Sequence, residues 1–446
     1  MGYNGSENFA KGKRFGFFPS FSLGWMISEE RFLKEKAPWI EMLKLRVSYG
    51  EVGNDQIGGK RFLYNSDYVQ GDQYWRETYP NLGINSGMQG GGIWQGSLPN
   101  ESVTWEKAKK ANIGVDFSMM RGLLSLNADL FYERRNGILM TRRKVPITLG
   151  IDPPAGNVGE TENKGFELEV MHRNQLGRNF TYWVKANVAL AKNKILNYDE
   201  PTKGLPWQKM KGRSIDQFTG LVVEGFFQTQ EEIDESGLIY DFGTPKPGDY
   251  RYKDINGDHR INQYDNVAVG YTQTPEINYG FSYGFSYKGF DFSMLWQGAG
   301  HVSLTLAGPL MREFMEGGRV QEHHFDRWAY YTDPYTGELI DTRATAKYPR
   351  LTASGASPSW QQSSASVLNG KYLKLRNVEM GYSFPKSTVS KMRISGLRIF
   401  LSANNLLTFS PIKVVDPEGP GYGGNREQGN NYPQMTSYNI GINVNF

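Results

Sequence analysis

Large apolar residues recur at every second position in one segment after another, and this alternation restricts the fold more than any other feature of the chain. In "RFGFFPSFSLGWMI", Phe15, Phe17, Phe21, Leu23, Trp25 and Ile27 are separated mostly by Gly16, Ser20, Ser22 and Gly24. Leu43, Leu45, Val47 and Tyr49 alternate with Lys44, Arg46, Ser48 and Gly50, and Ile113, Val115 and Phe117 with Asn112, Gly114 and Asp116. The pattern returns at Leu124–Tyr132, Phe166–Val170, Phe180–Leu190, Ile277–Tyr287, Phe290–Trp296, Tyr372–Phe384, Leu397–Ala403 and Tyr438–Phe446. Successive side chains of a strand point to opposite sides, so each segment reads as a strand with one apolar face. A break in the alternation near Asn377 reads as a bulge.

About eleven strands result, many of the 9–12 residues that a tilted strand needs to cross a bilayer. Short links (121–122, 173–178, 288–289, 385–395) alternate with long ones (53–104, 136–160, 194–274, 298–368, 410–433). One rim therefore carries turns and the other carries long loops, the asymmetry of a transmembrane barrel. A soluble β-sandwich or propeller is the competing reading, and it requires no such asymmetry. Trp25, Trp105, Tyr132, Tyr287 and Trp296 near strand ends suit an interfacial aromatic girdle. Aromatics make up 14% of residues, yet mean hydropathy is only −0.55. No run of about 18 apolar residues suggests a membrane helix, which leaves a barrel open. The absence of cysteine excludes disulfides and thiolate metal sites. A net charge of +4 without a basic block argues against nucleic acid. The N-terminus lacks a signal-peptide pattern, so the chain reads as cytosolic or as an internal piece of a longer protein. The odd strand number favours the second reading, because single-chain bacterial barrels use even numbers. Residues 1–5 then read as the tail of an earlier strand, and the chain ends on an alternating strand closed by Phe446.

The motifs "GFFPSFSLGWMISEERFL", "LKLRVSYGEVGN", "NVGETENKGFELEV", "PGDYRYKDINGDHRINQYDN", "YLKLRNVEMGYSFPK" and "LRIFLSANNLLTFS", in this order and ending in "IGINVNF", carry a resemblance over essentially the whole chain. Together they resemble the SusC/RagA family of TonB-dependent outer-membrane transporters. The resemblance implies an all-β fold: the C-terminal part of a 22-stranded transmembrane antiparallel barrel, in the outer membrane of a Gram-negative bacterium of the Bacteroidetes. It also implies a SusD-like surface lipoprotein, a TonB complex, a plug and an N-terminal barrel half as partners. The plug and TonB box lie N-terminal to the barrel in this family, outside the present sequence. Oligosaccharides or peptides are the implied cargo.

Within the long connection 194–274, residues 254–265 match a calcium loop. Positions 1, 3, 5, 7, 9 and 12 fall on Asp254, Asn256, Asp258, the Arg260 carbonyl, Asn262 and Asp265. His259 stands where such loops carry glycine, and Asp265 is shorter than the usual closing glutamate. A structural calcium ion bracing an extracellular loop is expected, against an Asx-rich turn satisfied by its own backbone. Residues 64–105 carry Tyr64, Tyr68, Tyr74, Trp75, Tyr79, Trp94 and Trp105 among Gly, Asn and Gln. Flat rings beside amides suit the C–H faces and hydroxyls of sugars, so Tyr74, Trp75 and Trp94 are expected to face ligand. They could equally pack the loop on itself or on the lipoprotein. Lys44, Arg46, Asp116, Asn127, Asp129, Glu167, Glu169, Lys185 and Asn187 should face the lumen. The five histidines show no zinc spacing, and no nucleophile elbow or phosphate loop occurs, so no enzyme is expected. A calcium-dependent glycan-binding soluble β-protein and a passive porin are the competing functions.

Overall fold

In the computed structural model, the described residues are all those other than 57, 59–60, 71–92, 147, 149–152, 202–203, 316–318, 354–356, 420–425 and 428–431. Eleven long strands form one antiparallel sheet in chain order. They are β1 (Ser20–Met26), β2 (Ile40–Asn54), β3 (Glu106–Met119), β4 (Leu124–Thr141), β5 (Ala155–Leu176) and β6 (Phe180–Asn197). They continue as β7 (Ile277–Tyr287), β8 (Phe290–Gly300), β9 (Tyr372–Ser383), β10 (Gly396–Phe409) and β11 (Ser437–Asn445). Every strand pairs with its sequence neighbours, as in a meander.

The register joins the apolar positions into one continuous face. Leu23, Val47, Ile113, Leu130, Phe166, Leu190 and Ile277 follow one another across β1 to β7. Tyr287, Phe290, Tyr382, Ile399 and Ile442 continue it across β7 to β11. Much of this face is solvent-exposed: Leu130 is 63% exposed and Ile440 75%. An apolar face of this extent, running across every strand of the sheet, matches the lipid-facing band of a transmembrane barrel.

The connections separate the two rims. Residues 120–123, 177–179 and 288–289 close one rim tightly, with 27–39 and 384–395 beside them. Lys288 (φ 49°) and Gly289 (φ 87°) make the two-residue turn, whose positive φ at both positions matches the twist of the flanking strands. The four long connections (55–105, 198–276, 301–371, 410–436) stand on the opposite rim, with the shorter 142–154 among them. The expected bulge is present. Pairing skips Arg376 on both sides: Leu375 and Asn377 face the adjacent Trp296 and Leu295 on β8, and Leu407 and Asn404 on β10.

Four details differ from the expectation. Strands β4 and β5 run on to Thr141 and back from Ala155, leaving a link of only 142–154. Ion pairs such as Arg134–Glu160 (2.5 Å) hold this polar extension where apolar alternation stops. Pro19, which has no N–H to donate, divides the first alternating segment into Phe15–Phe18 and β1, and Gly2–Gly5 pairs with the former. Trp105 is no girdle residue: it is 8% exposed, packs with Phe9, Phe18 and Val103, and donates Nε1–H to the Arg14 carbonyl (3.0 Å).

The fourth difference is the largest. Connections 198–276 and 301–371 are not open loops; they fold together into a cap with its own core. Leu221, Phe227, Ile233, Tyr240, Tyr250, Tyr252 and Ile261 fill it. The helix Gln230–Ser236 stands over this core, with Thr229 accepting the Glu232 N–H (3.2 Å) and Gly237 in the left-handed region at its end. A further cluster of Leu304, Leu306, Leu310 and Ile412 ties 301–371 to the last long connection.

Candidate functional site

The face opposite the apolar one is polar, and the register fixes its rows. Lys44, Asp116, Asn127, Glu169 and Asn187 follow one another across β2 to β6; Arg46, Gly114, Asp129 and Glu167 form the next row. All nine residues expected at the lumen lie on this face. Arg46 clamps two strands at once. Its guanidinium donates to Asp116 (2.8 and 2.9 Å) and to Asp129 (3.1 and 2.9 Å), the forked geometry that only arginine offers. Glycine at 114 leaves room for that guanidinium, because a Cβ there would meet it at 2.6 Å. Lys185 pairs with Glu169 (2.8 Å), and Arg398 joins Asp291 of β8 to Glu379 of β9. Asn127, Asp129, Glu167, Glu169 and Asn187 line an open cleft on this wall, whose net character is acidic.

Where the wall meets the cap, Lys374 of β9 is 1% exposed. Its Nζ donates to Asp416 (2.6 Å) and Glu418 (2.8 Å). Arg376, pushed inward at the bulge, reaches Glu418, Gln297 (3.0 Å), Asn405 (3.1 Å) and Gln434 (2.8 Å). Tyr372 donates to Glu418 as well (2.6 Å). This cluster was not among the expected site residues. The break in alternation near Asn377 was the visible signal, since a bulge re-aims the side chain it carries.

Two long connections meet at Asp249, which is fully buried. It accepts the Lys246 N–H (2.9 Å) and the Ser359 hydroxyl (3.1 Å) and pairs with Arg350 (3.3 Å). Tyr250 N–H donates to Ser359 (3.0 Å), and Tyr252 donates its hydroxyl to the Pro358 carbonyl (3.1 Å). Burial pushes the phenols of Tyr240, Tyr250 and Tyr252 above their usual range, and Tyr240 and Tyr252 act as neutral donors within the core.

The cap also buries His324, 4% exposed, whose Nδ1 accepts the Gln321 N–H (3.1 Å). Burial, with the His323 ring 4.1 Å away, lowers its pKa from 6.5 to about 4. The folded cap thus refuses a proton that the unfolded chain accepts below pH 6.5. Stability is full above that pH and is lost as pH falls from about 6.5 toward about 4. At pH 5 the cap is expected to be weaker than at pH 7.5 by on the order of 2 kcal/mol, read as hydrogen exchange of segment 301–371. His324→Phe should flatten that dependence.

The 254–265 segment is a tight turn on the cap. Asp254 accepts the N–H groups of Gly257 (2.7 Å) and His259 (2.8 Å), Asn256 that of Asp258 (3.0 Å), and Asp258 that of Arg260 (2.8 Å). His259 adopts the left-handed conformation (φ 60°) that glycine supplies at this position in calcium loops. Asp265 is fully buried and staples the loop through the Ile255 and Asn262 N–H groups (both 2.9 Å). Asn262 caps the turn Gln263–Asp265 and donates to Asp241 (3.1 Å), which the Arg260 guanidinium also engages. Among the described residues, no group of three or more His, Asp or Glu side chains gathers as a metal site. Of the expected ligand-facing rings, Tyr74 and Trp75 lie outside the described residues. Trp94 sits in the short strand Ile93–Gln95, opposite Val69.

Comparison with known proteins agrees with this architecture. The family described as "TonB dependent receptor-like, beta-barrel" matches residues 2–406. "TonB-dependent receptor P26" of Formosa agariphila is 31% identical over 99% of the chain and 44% of its own length. "TonB-dependent receptor SusC" of Bacteroides thetaiotaomicron is 24% identical, over all of the chain and 42% of its own length. Among solved structures, the RagAB peptide importer in its open-open state superposes with a TM-score of 0.72 at 21% identity, covering 99% of the chain and 44% of its own. The chain therefore spans less than half the length of these relatives. It belongs to the TonB-dependent receptor-like β-barrel family.

Proposed function

We propose that the chain forms barrel wall and extracellular cap of a TonB-dependent importer in the outer membrane of a Gram-negative bacterium. The observation that carries this reading is the two-faced sheet. One side is apolar across all eleven strands, the other is polar and clamped by Arg46 and Arg398, and every long connection stands on one rim. The polar side lines the path of cargo and contacts a plug and the N-terminal half of a 22-stranded barrel. Energy comes from the TonB complex, and a SusD-like surface lipoprotein closes the capped rim. The Tyr/Trp-rich segment 64–105 favours oligosaccharide as cargo, with Tyr74, Trp75 and Trp94 stacking on sugar rings. Similarity to the RagAB peptide importer favours peptide as the second reading. Purifying the complete transporter with its lipoprotein and identifying the bound ligand separates the two. Oligosaccharide is expected; bound peptide would overturn the cargo while leaving the importer reading in place.

We also propose that calcium braces the cap at 254–265. Each carboxylate oxygen keeps a lone pair after accepting one N–H, so the turn described above leaves Asp254, Asn256, Asp258 and the Arg260 carbonyl able to ligate. Asn262 and Asp265 would complete the set. Calcium is expected to slow hydrogen exchange in residues 254–262, and Asp258→Ala to abolish that response without loosening the barrel. Equal exchange in calcium and in chelator would leave the self-satisfied Asx turn as the whole account.

A further inference from the structure

On the lipid-facing side, the apolar belt ends in an unusual row toward the long-connection rim. Leu130, Phe166 and Leu190 belong to its last apolar row. One step further along, Lys164 of β5 stands directly opposite Lys192 of β6, and Lys194 follows on the same face. Like charges facing one another across a ladder destabilise the pair. All three lysines are exposed. Among the described residues, Lys192 pairs with Glu276 alone (4.0 Å), a carboxylate that His301 also engages (3.1 Å). Among the described residues no ion pair forms at Lys164 or Lys194. Glu162 stands opposite both Lys194 and Arg134 and offsets one charge, while Arg134 is bound to Glu160 (2.5 Å). The remaining cations border the apolar belt on its long-connection side.

We propose that Lys164, Lys192 and Lys194 hold the phosphate of an anionic outer-leaflet lipid, whose acyl chains lie along Leu130, Phe166 and Leu190. The proposal rests on the outer-membrane reading above. A lipid phosphate removes the like-charge conflict, gains charge-assisted hydrogen bonds from ammonium groups, and extends the apolar contact below them. Lysine suits the position, since its stem lies on the belt while its charge reaches the headgroup layer.

The test is native mass spectrometry of the complete transporter in detergent, titrated with bis-phosphorylated lipid A, dephosphorylated lipid A and inorganic phosphate. Bis-phosphorylated lipid is expected to bind about tenfold or more tighter than the dephosphorylated form. Lys164→Gln with Lys192→Gln should remove most of that preference, and Lys110→Gln, on the lumen side beside Glu133, should leave it unchanged. Unchanged preference in the double variant overturns the proposal, as does displacement of the lipid by millimolar inorganic phosphate. Failure of the membrane reading would look different: neither lipid form binds, and the protein stays monodisperse when detergent is removed.

Discussion

Asp249→Ala is expected to open the cap while the eleven-stranded sheet stays folded. The carboxylate is fully buried, accepts the Lys246 N–H and the Ser359 hydroxyl, and forms an ion pair with Arg350. Its removal leaves the Arg350 cation without its counter-charge and the Ser359 hydroxyl and Lys246 N–H without their acceptor, at the joint of connections 198–276 and 301–371. Deleting one partner of a buried pair costs about 3–5 kcal/mol, a large fraction of the stability of a unit of this size. Hydrogen exchange should therefore rise in both connections together, because they share one core. Peptides from β3 to β8 should keep their protection. Asp249→Asn, which keeps an acceptor oxygen but loses the charge, is expected to be intermediate.

Lys374→Ala is expected to release the last long connection. The ammonium is 1% exposed and holds Asp416 and Glu418, so its loss strands two carboxylates against the wall. The cost is again about 3–5 kcal/mol, but confined to residues 410–419 and the bulge. Arg376 limits the damage by keeping its contact with Glu418, so Lys374→Ala combined with Arg376→Ala should cost more than the sum of the single changes. Limited proteolysis after residue 410 reports the release. Cleavage confined to 198–276 would contradict the assignment of these carboxylates to the wall.

The sheet was legible because a strand needs only local information: alternation names its faces, and the register then follows from keeping Val47, Ile113, Leu130 and Phe166 on one side. The bulge was legible for the same reason, as a slip in the period near Asn377, and the pairing places it at Arg376. The cap was not, although part of its local code was present. Thr229, Glu231, Glu232 and Gly237 are ordinary helix start and stop signals. What joins that helix to its surroundings is long-range. Tyr252 meets Pro358, and Leu221 exchanges backbone hydrogen bonds with Gln362 and Ser364, across more than a hundred residues. No period records such contacts. Trp105 was misplaced by the same limit, since an aromatic at a strand end serves a girdle or a core equally well, and Phe9 and Phe18 decide for the core. The lumen residues were found as a face, but Arg46 as the clamp between Asp116 and Asp129 emerges only from the register.

The most direct test of the two-faced, two-rimmed barrel uses the absence of cysteine from the chain. Single cysteines are introduced into the complete transporter as Asp258→Cys on the cap, Lys288→Cys in the tight turn and Leu130→Cys on the apolar face. Intact cells are treated with a maleimide too large to cross the outer membrane. Labelling is predicted at Asp258→Cys alone, with Lys288→Cys reacting only after the membrane is permeabilised and Leu130→Cys only after detergent extraction and unfolding. Labelling of Lys288→Cys on intact cells with protection of Asp258→Cys, or free reaction of Leu130→Cys, would contradict it.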